Sequence, residues 1–295
     1  MTALSMLWRA IAEGKCELTQ RIIIITGSSD GIGAAAARQL SAQGDRVVIV
    51  GRSREKTSSI ANELGADSFL SDFTRLAEVR ALAAALLEKY PHIDVLANNA
   101  GGIMGNREET VDGHEKTFQV NHLAPFLLTT LLMERLIASR ARVINTSSVA
   151  NQYFGALDIH DLDARKRYSP NKAYGDAKLA NILFTRELHH RYHAQGIQTA
   201  AFHPGNVATS FSTGSTSAMR VIYQTALKRI MLIKPKQGAD TLVWLACAQP
   251  GEDWISGEYY YKRKITRANK QAYDAELAKQ LWESSESMVG LRGAP

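Results

Sequence analysis

The residues with the most to offer chemically are Tyr174 and Lys178, in the run Tyr174-Gly175-Asp176-Ala177-Lys178. On a helix, positions i and i+4 share a face, so the phenol and the ammonium stand one above the other. A free tyrosine has a pKa of ~10, too high for ready proton exchange near neutrality. A neighbouring ammonium stabilises the phenolate and lowers that pKa, which makes the pair a general acid–base. Such pairs also occur on solvated helices without any function, so this one gains meaning only from its surroundings. A hydroxyl is one of them. Val143-Ile144-Asn145-Thr146-Ser147-Ser148 reads as a strand ending in two serines, at the edge where ligands bind in open α/β sheets.

A second motif supplies what an acid–base pair would serve. An apolar strand runs into Thr26-Gly27-Ser28-Ser29-Asp30-Gly31-Ile32-Gly33 and then into an Ala-rich helix. Glycines at this spacing allow a tight turn, close approach of a pyrophosphate and close packing of helix on strand. The helix N-terminus adds unpaired N–H groups and the positive end of its dipole. Gly27, Ser29, Gly31, Ile32 and Gly33 are therefore expected to line a dinucleotide. The next strand ends Val50-Gly51-Arg52. An NAD enzyme places a carboxylate at that tip for the adenosine ribose, and here the tip is Gly51. Arg52 can bind a 2′-phosphate through charge-assisted, bidentate bonds. The expected cofactor is NADP(H).

The elements that position these groups follow from periodicity. Short apolar runs without alternation mark parallel strands covered on both faces, at Ile22–Ile25, Val47–Val50, Val95–Ala97, Val143–Thr146 and Thr199–Phe202. Ser68–Leu70 is a weaker strand, and Glu258–Tyr261 a last one. Helical spacing appears over Ala34–Gln43, Glu55–Leu64, Ala77–Lys89, Pro125–Ile137 and Lys172–Ala194. This alternation predicts an α/β fold of the Rossmann type: one domain, with a doubly wound parallel sheet and helices on both faces. The domain would span 21–295, behind an N-terminal extension (1–20) read as a short amphipathic helix. Within it, Phe211, Met219, Val221, Ile222 and Tyr223 suggest an apolar substrate lid over about 209–236.

Of 295 residues, 45% are hydrophobic and 22% charged, which excludes a disordered or fibrous chain. No apolar run reaches the ~20 residues of a membrane-spanning helix. Two cysteines imply no disulfide framework, and a cytoplasmic protein is expected. The net charge of +6 is explained by a phosphate-bearing cofactor as well as by nucleic acid, and no nucleic-acid motif accompanies the basic run from Lys262 to Lys270. His189, His190 and His193 look like a solvated helix end rather than a metal site. No metal is expected.

The T-G-x-x-x-G-x-G pattern and the Tyr174/Lys178 pair resemble the short-chain dehydrogenase/reductase family, over about residues 20–290. Asn121-His122-Leu123 and Lys178-Leu179-Ala180-Asn181, with Leu281-Trp282 and Ser284, are most similar to its retinol-dehydrogenase-like branch. The resemblance implies four catalytic residues: Asn121, Ser148 (with Ser147 as the fallback), Tyr174 and Lys178. It implies that Asn121 interrupts a helix and maintains a proton path, and that Asn98 braces the sheet. Asn99, Ala100 and Gly101 would lie along the cofactor, and Asp72-Phe73 would meet the adenine. Pro204, Val207 and Thr209 would hold the nicotinamide carboxamide, while Tyr174 and Lys178 would also touch the cofactor. Ala150–Asn171 reads as an extra loop beside the substrate. The family's animal members in this branch often carry an N-terminal membrane anchor, which these first residues do not resemble. The implied activity is interconversion of a lipophilic ketone or aldehyde and its alcohol. A non-catalytic NADP(H)-binding regulator is the alternative. Substrate identity, direction and any homo-oligomer are left open by the sequence.

Overall fold

A computed structural model describes residues 20–205 and 234–291. Residues 1–19 of the N-terminal extension, Val207, Thr209 and the lid residues from Phe211 to Tyr223 lie outside these. Eight strands form one sheet: β1 (Ile22–Thr26), β2 (Arg46–Gly51), β3 (Asp67–Leu70), β4 (Val95–Asn98), β5 (Arg142–Thr146), β6 (Gln198–Phe202), β7 (Glu258–Tyr261) and β8 (Lys264–Ile265). Their order is β3-β2-β1-β4-β5-β6-β7-β8. All pairs are parallel except β7 with β8. The order reverses between β1 and β4, and ligands bind in the crevice such a reversal opens at the carboxyl ends of the strands.

Successive residues of a strand point to opposite faces, and both faces here are covered. Ile23, Ile25, Val47 and Ile49 pack with Ala34, Ala37 and Leu40 of α1 (Gly31–Ala42) and Ile60 of α2 (Arg54–Leu64). Ile22, Ile24, Val48 and Leu96 pack on the other face with Val79 and Leu86 of α3 (Leu76–Lys89). That explains strands without alternation.

The region predicted as one helix, Pro125–Ile137, is longer and more broken than its apolar pattern. It begins as α4 (Lys116–Phe118), widens into a π-helical turn at Gln119–Leu123, and continues as α5 (Ala124–Leu131) and α6 (Met133–Ala138). The segment after β5 forms a short α7 (Ala150–Tyr153) before the long α8 (Pro170–Tyr192), which Ser169 caps by accepting from Lys172 N–H. Two short helices, α9 (Pro235–Gly238) and α10 (Asp240–Cys247), precede β7. The last helix, α11 (Ala275–Met288), lies against α8 through Trp282, whose ring meets Phe126 and Phe184.

Candidate active site

The turn after β1 is built to be bare. Gly27 has φ +66°, and a Cβ there would come within 2.7 Å of the Ala100 backbone. A Cβ on Gly33 would lie 2.4 Å from the Gly27 carbonyl. Gly31 has φ +55°, a region that favours glycine. Asp30 caps α1 by accepting from Gly31 N–H at 2.7 Å and pairs with Lys56 of α2 at 2.8 Å. Ser28 N–H donates to the Val50 carbonyl, which ties the turn to the end of β2. At that tip, a Cβ on Gly51 would sit 2.8 Å from Ser29 Cβ and closer still to Thr57. Arg52 follows, exposed to solvent. Ile32, half-buried, packs against the core on its side of the sheet.

The second wall is Asn98 to Gly101. Asn98 donates to Thr129 and to Asn145, which donates in turn to Thr185, so it braces β4, β5 and α8 together. Thr26 Oγ1 accepts from the N–H groups of Asn99 and Ala100, each at 3.0 Å. Asn99 Nδ2 donates to the Thr26 carbonyl. This segment is thereby closed down onto the glycine turn. Asp72 follows β3 with its carboxylate accepting from Thr74 N–H. The Phe73 ring is buried in the core, and its carbonyl accepts from Gln119 Nε2 at 3.2 Å.

The acid–base pair meets that wall. Lys178 is buried, and its Nζ donates to the Thr146 carbonyl at 3.1 Å. Nζ lies 5.4 Å from the centre of the Tyr174 ring. A Cβ on Gly101 would fall 3.1 Å from Lys178 Nζ and 2.4 Å from Asn121 Oδ1. Lys178, Asn121 and Gly101 therefore converge, beside Tyr174. Burial holds the Lys178 ammonium down to a pKa of about 7. Asn121 sits in the π-helical turn, where Nδ2 donates to the carbonyls of Thr117 (2.8 Å) and Gly102 (2.9 Å) and Oδ1 accepts from Gly102 N–H. A π-turn disturbs the regular i to i−4 ladder, and the amide occupies the Thr117 carbonyl.

The two serines separate. Ser147 is buried and donates to the Lys178 carbonyl at 2.7 Å, which ties β5 to α8. Ser148 is half-buried, and its hydroxyl oxygen accepts from Ala150 N–H. Asp176, between Tyr174 and Lys178 in sequence, turns away to accept from Ala156 N–H and to pair with Lys172. Pro204 lies at the end of β6 after His203, which stacks on Tyr261 at 4.0 Å and accepts from Gly205 N–H at Nδ1. The helix-end histidines are less uniform than their charge neighbourhood implies, because His189 contacts Ser256 at 2.9 Å and faces Gly257.

Sequence reasoning passed over Thr26, Lys56, Asn151 and Tyr259. Thr26 carried a signal, as a lone hydroxyl ending an apolar strand. The others carried none, since their partners are remote in sequence.

The family profile described as short chain dehydrogenase matches residues 21–220. The chain is 42% identical to "Putative daunorubicin C-13 ketoreductase DnrU" of Streptomyces sp. (strain C5), covering 92% of this chain and 94% of that protein. It is 37% identical to human retinol dehydrogenase 12, covering 94% and 88%. Among solved structures, the Pseudomonas aeruginosa RhlG/NADP active-site complex superposes with a TM-score of 0.65 at 27% identity, covering 82% of this chain and 94% of that one. The bare turn, the converging Lys178 and Asn121, and the close-set Gly101 fit a nicotinamide dinucleotide laid across the sheet reversal.

Proposed function

The chain belongs to the short-chain dehydrogenase/reductase family, in its retinol-dehydrogenase-like branch, and from that premise we propose an NADP(H)-dependent oxidoreductase interconverting a lipophilic ketone or aldehyde and its alcohol. The observation that carries the proposal is the convergence of Lys178, Asn121 and Gly101 beside Tyr174, against the glycine turn. A bound nicotinamide supplies or accepts the hydride. Ser148 and Tyr174 hold the substrate oxygen by hydrogen bonds. Tyr174 gives its proton as that oxygen becomes an alkoxide and takes one back in the reverse direction. Donors aimed at the oxygen bind the developing alkoxide more strongly than the carbonyl, so they lower the barrier rather than merely tighten binding. Lys178 binds the nicotinamide ribose and stabilises the Tyr174 phenolate. Asn121 keeps the proton path from Lys178 open.

The preference for NADP(H) rests on the tip of β2. Gly51 leaves no room for the carboxylate that serves an unphosphorylated ribose, and Arg52 is engaged by no side chain among the described residues. Asp72-Phe73, Asn99, Ala100 and Pro204 would lie along the bound dinucleotide. Lipophilic substrates are favoured by Tyr153 and Phe154, which are 72% and 47% exposed. Phe154 is pressed against Gly175, the neighbour of Tyr174. The names of the relatives point to a ketone in one case and an alcohol in another, the two sides of one reaction.

Following NADPH and NADH oxidation across a panel of ketones and aldehydes tests this directly. Turnover with apolar carbonyls is expected, with kcat/KM at least about tenfold higher for NADPH, the worth of one charge-assisted phosphate contact. A preference for NADH would overturn the cofactor assignment. Dinucleotide binding with no turnover on any member would indicate a regulator instead.

A further inference from the structure

Directly behind Ser148 lies a buried polar cluster that touches neither substrate nor cofactor in the proposal above. Asn151, on α7, is fully buried. Its Nδ2 donates to the Ser148 carbonyl at 2.6 Å and to the Tyr259 hydroxyl at 3.1 Å. Its Oδ1 accepts from Asn269 N–H at 2.9 Å, and its carbonyl accepts from Asn269 Nδ2 at 2.9 Å. Asn269 Nδ2 also donates to the Gly155 carbonyl. Tyr259 is fully buried on β7. Both Nδ2 protons of Asn151 and its Oδ1 are occupied.

A buried network in which each amide group is used favours one geometry over its neighbours. A hydroxyl that must meet a reacting oxygen has to be held to within ~0.5 Å by such support. We propose that Asn151, locked between Tyr259 and Asn269, is a positioning residue that fixes the Ser148 backbone so that its hydroxyl is presented to the substrate oxygen. This inference rests on the oxidoreductase reading above. It gives the segment after β8 a part in the reaction, although Asn269 lies 118 positions from Asn151.

Asn151→Asp is nearly isosteric but sets an acceptor against the Ser148 carbonyl. Tyr259→Phe keeps the ring and removes the hydroxyl. Each is to be measured alone and in a Ser148→Ala background, with kcat on a carbonyl accepted by the wild type and dinucleotide affinity by fluorescence titration. Each variant alone should lose about tenfold in kcat with dinucleotide affinity unchanged, and should lose no more than about twofold further once Ser148 is alanine. A merely structural role would cost the same factor in both backgrounds, and that result would overturn the proposal. So would wild-type kcat in Tyr259→Phe, which carries the test if Asn151→Asp does not fold. Absence of turnover in the wild type would instead count against the oxidoreductase reading.

Discussion

Lys178 is an ammonium with one carbonyl partner, held in a place where burial favours its neutral form. Its pKa of about 7 lies below the 10.5 of an exposed lysine, so between these values the unfolded chain binds more protons than the folded one. Stability of the cofactor-free protein should therefore rise as pH increases from 7 toward 10.5, by up to ~1.4 kcal/mol per pH unit from this group. Thermal unfolding of the wild type and Lys178→Met across that range is the check. The variant should lose this contribution, and parallel curves would contradict the assignment. That Tyr174 and Lys178 share one helix face was legible from their spacing. The burial was not, because a lysine in a sequence ordinarily reads as surface.

At the scale of elements, the π-helical turn depends on a single amide. Asn121 bonds the Thr117 carbonyl and both backbone groups of Gly102, and so joins the helix to the wall that ends in Gly101. Replacing it with alanine strands several buried backbone groups, and Asn121→Ala should lower unfolding free energy by at least ~2 kcal/mol in urea titration. An unchanged midpoint and slope would show that the turn does not need the amide. The helix was predicted to start at Pro125 because Thr117, Gln119, Asn121 and His122 are polar yet buried, which hides them from a periodicity argument. The central strands posed no such difficulty, since Ile22–Ile25 and Val47–Val50 are apolar on both faces. The loop after Ser148 falls between these cases. Its existence was readable, but its bracing by Asn269 and Gln271 joins residues more than a hundred positions apart and leaves no local pattern.

At the scale of the whole molecule, His122 and His203 are held neutral by the packing around them. His122 lies among Phe118, Phe126 and Phe184 and joins the helix bearing Asn121 to α11 through Ser285. His203 closes β6 against Tyr261. Burial pushes both down to about 4 from 6.5. The unfolded chain then binds more protons between these values, so stability should fall as pH drops from 6.5 to 4. His122→Gln should flatten that acid limb in equilibrium unfolding, and an acid limb identical to wild type would place the sensitivity elsewhere. In the sequence, Trp282 stands only within the Leu281-Trp282 and Ser284 stretch that resembles the family's branch, and its link to the site-bearing helices is not expressed there. Its physical content, an aromatic cluster around a neutral imidazole, required the fold.

The central claim is that Tyr174 is the proton-transfer group of a nicotinamide-dependent enzyme. Tyr174→Phe keeps the ring and removes only the hydroxyl, so steady-state turnover with a carbonyl the wild type reduces, alongside NADPH affinity by titration, measures it most directly. Turnover should fall by at least ~100-fold, the scale of general acid–base catalysis, while NADPH binds nearly as before. Turnover close to the wild-type value in that variant would contradict the account.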